Sequence, residues 1–253
     1  MGFGQIEVLT HNDVQLAFER QDGAAPTFIW LGGFRSEMAG TKAQALAQWA
    51  HERGQGFVRF DYSGHGRSSG RFEACAISDW LEDTLAVIDR LTSGALVLVG
   101  SSMGGWLALL AARARPARVK GLLLIAPAAD MTERLMWAGF DPGVRQEIER
   151  TGQWAQPSAY DPAPTIITRR LIEDGRRHLL MDAPIAFAGA VRILQGGQDP
   201  DVPVAHVQTL AGLLRAPDLR MDLIADGDHR LSRPQDLERL LGVATELAAR
   251  LAL

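Results

Sequence analysis

Ala95-Leu96-Val97-Leu98-Val99-Gly100-Ser101-Ser102-Met103-Gly104-Gly105 is the stretch that decides the fold. The first five residues are apolar and rich in β-branched side chains, as a strand buried on both faces requires. From Trp106 to Ala114 the pattern becomes helical. The chain must therefore reverse sharply at Ser102, and Gly100 and Gly104 leave room for that turn because they lack a Cβ. Gly100-x-Ser102-x-Gly104 in a strand–turn–helix setting is the arrangement that exposes a nucleophilic serine. The free N–H groups of the following helix start favour developing negative charge. A phosphate-binding loop is not expected, because no Lys followed by Ser or Thr closes the glycine run.

Outward from this turn, strands and helices alternate. Strands are expected near Gln5–Thr10, Val14–Glu19, Thr27–Leu31, Phe57–Phe60, Val119–Ala126, Val191–Leu194 and Leu219–Ile224. Helices are expected over Ala39–Arg53, along the stripe Ile77, Trp80, Leu81, Thr84, Leu85, Ile88 and Leu91, from about Pro203, and in a terminal segment bearing Leu237, Leu240, Leu241, Leu247 and Leu251. This order predicts an α/β fold: a mostly parallel, twisted sheet with helices on both faces. Between about Asp130 and Pro184 the alternation stops. Trp137, Phe140, Trp154, Tyr160 and several prolines sit there without a core strand, which predicts a small helical cap over 130–190, inserted into a single domain spanning 1–253.

In an open parallel sheet the ligand crevice lies beyond the carboxyl ends of the strands. The candidate residues fall just there. Gln195-Gly196-Gly197-Gln198-Asp199-Pro200-Asp201 follows a strand, with Asp199 nearer the strand end and Asp201 the alternative acid, close to a helix start marked by Pro203. Asp226-Gly227-Asp228-His229-Arg230 follows the last strand and supplies His229 as a base, with His65 in Asp61-Tyr62-Ser63-Gly64-His65 as its rival. Backbone N–H groups of Met103 and of Phe34, after Gly32-Gly33, are the expected oxyanion donors. Met136, Trp137 and Phe140 are candidates for a substrate groove. Nothing has zinc-ligand spacing, and neither a metal nor a cofactor is expected.

The chain resembles the α/β-hydrolase superfamily in its Ser102…Asp199…His229 order. Gly33-Phe34-Arg35-Ser36-Glu37-Met38-Ala39-Gly40-Thr41-Lys42-Ala43, Arg59-Phe60-Asp61-Tyr62-Ser63-Gly64, Gly100–Trp106, Asp228-His229-Arg230 and Trp154-x-x-Pro157-Ser158 are similar to the α/β-hydrolase domain-containing protein 10 family. That resemblance implies an acyl-protein thioesterase or esterase, with Ser102 as nucleophile, Asp199 as acid and His229 as base. The implied partners are small ester or thioester substrates, S-acylated proteins among them. A C–C bond hydrolase or peptidase on the same triad, and a ligand receptor that kept the fold, are the alternatives.

Composition bounds the remaining classes. The 253 residues are 47% hydrophobic and 22% charged, with a net charge of −4 that argues against nucleic acid as a partner. No apolar run approaches the roughly 18 residues that cross a bilayer. The start lacks a basic, apolar or Arg-rich leader, and Cys75 has no second cysteine to pair with, so a cytoplasmic location is expected.

Overall fold

The computed structural model describes residues 5–157 and 164–252. Ser158 and Tyr160, two residues of the expected cap, lie outside the described residues. Eight strands form the main sheet, in the order β1 (Glu7–His11), β2 (Val14–Gln21), β4 (Gln55–Phe60), β3 (Ala24–Leu31), β5 (Leu96–Ser101), β6 (Val119–Ile125), β10 (Ala190–Gly196) and β12 (Asp218–Ile224). β2 pairs antiparallel with β1 and β4, and every other neighbour is parallel. The mostly parallel sheet expected from the alternation is therefore present.

Side chains of a strand alternate between its faces, so one strand feeds two cores. Ile29, Leu31, Leu96 and Leu98 pack with α2 (Ile77–Leu91), α3 (Met103–Ala114) and α6 (Val204–Leu213). Phe28, Trp30, Val97 and Val99 pack on the other face with α1 (Thr41–Arg53) and α7 (Pro234–Leu251). This double covering explains the near-continuous apolar reading of β5 and β6, whose neighbours lie on both sides of the sheet.

The helix after the serine starts at Met103, three residues earlier than the apolar pattern suggests. Gly104 and Gly105 are buried in its first turn. A Cβ on Gly104 would run into the Leu31 carbonyl, and one on Gly100 into the Gly104 carbonyl. Here glycine is demanded by close packing of α3 against β3 and β5, which outweighs its poor helix propensity.

Between β6 and β10 the chain leaves the sheet. It forms a π-helical turn (Thr132–Trp137), α4 (Pro142–Thr151), α5 (Arg169–Gly175) and a 3-10 turn (Arg176–His178). Short strands outside the main sheet accompany these helices. β7 (Gln153–Gln156) and β8 (Thr165–Thr168) form an antiparallel ribbon, and β9 (Ile185–Ala186) pairs with β11 (Leu214–Arg215). Ile148, Ile167 and Ile172 form a small separate core here, packed by Trp137, Phe140, Val144 and Trp154.

Candidate active site

Ser102 is the last residue before α3, at φ +54° and ψ −118°. Positive φ is strained for any residue with a Cβ and persists only where surrounding contacts enforce it. Its N–H donates to the Ile125 carbonyl at 2.9 Å, and its carbonyl accepts from Gly105 and Ala128 at 2.9 and 3.0 Å. With the backbone held at both ends, the half-buried side chain projects at the carboxyl end of the sheet.

Two loops from farther along the chain meet it. His229 Nε2 lies 3.1 Å from Ser102 Oγ, and His229 Nδ1 lies 2.8 Å from Asp199 Oδ2. Asp199 is buried at the end of β10. Its Oδ1 accepts from the Asp201 and Val202 amides at 2.9 and 2.8 Å, and Oδ2 also accepts from Gln195 Nε2 at 3.2 Å. Burial alone would push this carboxyl up, but the hydrogen bonds from His229, Val202 and Asp201 outweigh it and hold Asp199 below the usual carboxylate range. An ionised Asp199 keeps the Nδ1 proton on His229 and leaves Nε2 free to accept from Ser102.

Asp201, the alternative acid, is exposed on the cavity rim, and its backbone N–H donates to Asp199 Oδ1. Asp199, Asp201 and His229 place one ligating atom each within 4.8 Å of one another. Yet the four hydrogen bonds already occupy both Asp199 oxygens, and a carboxylate offers about four lone-pair sites in all. The donor set is therefore committed to orienting His229.

His65, the rival base, does not reach the serine. It is 4% exposed, packed edge-on against Tyr62, Phe72 and Trp80, and its Nε2 accepts from the Arg35 N–H at 3.2 Å. Burial, only partly opposed by the Ser63 carbonyl and Asp61, lowers its pKa and keeps it neutral.

The loop after β3 passes directly over the serine: a Cβ on Gly33 would sit 3.4 Å from Ser102 Cβ. This brings Phe34 to the crevice that Ser102 lines, and Met103 follows Ser102 directly as the first residue of α3. The Phe34 ring is anchored edge-on to Phe72 and Trp80, with centroids 5.0 and 5.9 Å away.

A cavity of about 650 Å³ opens from Ser102 and His229. Its walls include Met131, Leu135, Met136 and Phe140 from the segment after β6. Of the three groove candidates, Met136 and Phe140 line this cavity and Trp137 does not. All three pack on the small separate core, but only Met136 and Phe140 also reach the cavity. The guanidiniums of Arg145 and Arg176 lie over the Trp137 ring, 5.6 and 5.0 Å from the centroid.

Lys42 also lines the cavity, and the sequence reading passed over it. Its ammonium donates to the Arg230 carbonyl and, at 3.4 Å, to Ser232 Oγ, so the start of α1 is tied to the loop that carries His229. Burial brings its pKa down to about 8 despite the neighbouring Asp228. The signal was a lysine at a helix start after a strand-exit loop, which by itself looks like a solvated surface charge.

Comparison with known proteins gives consistent relatives. The family model described as serine aminopeptidase S33 (Hydrolase_4) matches residues 31–199. A mouse (Mus musculus) protein named palmitoyl-protein thioesterase ABHD10, mitochondrial, is 36% identical over 240 residues, covering 94% of this chain and 80% of its own. The solved structure of mouse α/β hydrolase domain-containing protein 10 superposes with a TM-score of 0.90 at 34% identity, covering 98% of this chain and all of its own (100%). A putative hydrolase from Agrobacterium vitis S4 superposes with a TM-score of 0.92 at 42% identity, covering 97% and 100% of the two chains. The cytoplasmic expectation is overturned by these relatives: the ABHD10 proteins that match along most of the chain are named as mitochondrial. Among the described residues, no helix is long and apolar enough to cross a membrane.

Proposed function

The chain belongs to the α/β-hydrolase family that includes the ABHD10 thioesterases, and from that premise we propose a mechanism and a substrate for it. It is a serine hydrolase of carboxylic esters or thioesters. Ser102 is the nucleophile, His229 the general base and Asp199 the acid that orients it. The observation that carries this reading is the unbroken line from Asp199 Oδ2 through His229 to Ser102 Oγ, with spacings of 2.8 and 3.1 Å.

His229 Nε2 takes the Ser102 proton as Oγ attacks the acyl carbonyl. The N–H groups of Phe34 and Met103 receive the charge that develops on the carbonyl oxygen, where each donor contributes about 3–4 kcal/mol to the barrier reduction. Protonated His229 then hands its proton to the departing thiol or alcohol. Water, deprotonated by His229, releases the acid from Ser102 and restores the enzyme.

Met131, Leu135, Met136 and Phe140 supply an apolar wall beside Ser102, suited to an acyl chain. We assign residues 130–190 as a cap within one hydrolase domain of 1–253. The substrate reading is a fatty-acyl thioester, including one borne on a protein cysteine. The test is a panel of p-nitrophenyl esters of rising chain length, an S-palmitoyl peptide and leucine p-nitroanilide, run on the native enzyme and on Ser102→Ala. Turnover of the acyl substrates that vanishes in Ser102→Ala is expected. Preference for the anilide would overturn the substrate assignment, and full activity in Ser102→Ala would overturn the nucleophile.

A further inference from the structure

His65 is buried, sits beside the catalytic crevice and takes no part in the proton transfers above. Its hydrogen bonds fix its chemistry. Nδ1 lies 3.2 Å from the Ser63 carbonyl, which can only accept, and Nε2 lies 3.2 Å from the Arg35 backbone N–H, which can only donate. His65 must therefore be the neutral tautomer with its proton on Nδ1. The Ser63 carbonyl also accepts from Trp80 Nε1 at 3.1 Å, while buried Asp83 accepts from the Ser63 N–H and hydroxyl at 2.8 and 3.0 Å. A connected set of bonds thus runs from Asp83 on α2, through Ser63 and His65, to the backbone of Arg35.

Arg35 is the residue after Phe34, and its φ of +57° is a left-handed conformation strained for a side-chain-bearing residue. Its side chain is held separately, with Nη1 donating to Thr165 Oγ1 at 2.9 Å and the guanidinium 5.7 Å from the Phe72 ring centroid. The peptide that carries the Phe34 N–H is therefore set by a loop whose next N–H is bound to His65.

We propose that His65 is a positioning residue for the oxyanion hole: by accepting the Arg35 N–H it holds the Phe34 N–H aimed at the carbonyl oxygen of the substrate. This rests on the reading that Ser102 is acylated and that Phe34 is an oxyanion donor. His65→Phe keeps the ring contacts and deletes the acceptor. His65→Gln keeps an acceptor of similar reach. The expected result on p-nitrophenyl butyrate is a kcat lowered about 10–100-fold in His65→Phe with KM within twofold, since a displacement of about 1 Å in a catalytic group has effects of that size. His65→Gln should regain about tenfold of that loss. Affinity for a trifluoromethyl ketone, which forms an oxyanion on Ser102, should fall in parallel with kcat.

A role in packing alone would move KM and thermal stability together, with His65→Gln no better than His65→Phe, and that result overturns the proposal. So does wild-type kcat in His65→Phe. If His65→Phe does not fold, nitrogen-15 spectra of the wild-type imidazole decide: a proton on Nδ1 supports the latch, and a proton on Nε2 overturns it. Failure of a fluorophosphonate to label wild-type Ser102 would instead bring down the underlying assignment. Loss of kcat without loss of ketone affinity would remove Phe34 as the donor.

Discussion

Asp199→Asn changes one atom and inverts one hydrogen bond, so its effect can be worked through from the four contacts around that side chain. The asparagine oxygen must go to one of two places. At the Oδ1 position it keeps the Asp201 and Val202 amides as donors, and the new NH₂ group then faces His229 Nδ1 and Gln195 Nε2. In the other orientation the NH₂ group would oppose two fixed backbone donors, which cannot turn away. The first orientation wins. His229 must then accept at Nδ1 and carry its proton on Nε2, where it can no longer take the Ser102 proton. Gln195 cannot relieve its own clash by flipping, because Nε2 already donates to the Gly196 and Val202 carbonyls, both at 3.0 Å. The expected loss in kcat is about 10⁴-fold, or ~5.4 kcal/mol of barrier at 1.36 kcal/mol per tenfold. Gln195 Nε2 keeps its two carbonyl acceptors, so losing its contact to Asp199 costs about 1 kcal/mol of stability. The assays are steady-state hydrolysis of p-nitrophenyl butyrate and urea unfolding, with Asp201→Asn as a control expected to stay within twofold. A folded Asp199→Asn enzyme that loses less than tenfold in kcat would refute the orienting role.

Burial pushes the Asp83 carboxyl up from 3.8 to about 6, so the folded protein binds an extra proton between those values. Stability should therefore fall as pH rises from about 4 to about 6, by up to roughly 3 kcal/mol at this position. Asp83→Asn should flatten that slope and shift the urea midpoint upward at pH 7; identical pH slopes in the two proteins would contradict it. Lys42→Met removes the tie to the Arg230 carbonyl and Ser232 and should lower kcat about tenfold, or ~1.4 kcal/mol, with little change in KM. Steady-state kinetics check this, and unchanged kcat would remove Lys42 from the support of the His229 loop.

Sequence pattern and structure agree where local chemistry has only one solution. The Gly100–Gly104 turn is legible because no larger residue fits against the carbonyls of Gly104 and Leu31, and β5 is legible because both its faces are covered. The ribbon β7–β8 is hidden for the opposite reason. Its strands have four residues each, and Gln153-Trp154-Ala155-Gln156 and Thr165-Ile166-Ile167-Thr168 are too short and too mixed to show a period. The choice of Asp199 over Asp201 is visible in the sequence only as nearness to a strand end. The structure distinguishes the two by geometry: Asp199 is buried, lies 2.8 Å from His229 Nδ1 and receives the two amides, while Asp201 is exposed. His65 stands after a strand, as a base would, and nothing in Asp61-Tyr62-Ser63-Gly64-His65 reveals that the ring turns inward to hold Arg35. Long-range ties of this kind, like that of Lys42 to the His229 loop, join residues far apart in the chain and leave no local pattern.

The central claim is that Asp199 and His229 make the Ser102 hydroxyl nucleophilic. Reaction with a fluorophosphonate, followed by peptide mapping and by labelling rates in wild-type and His229→Ala proteins, tests it most directly. A single adduct on Ser102, formed at least about 10³-fold more slowly without the imidazole, is expected. An adduct on any other residue, or equal rates in the two proteins, would contradict it.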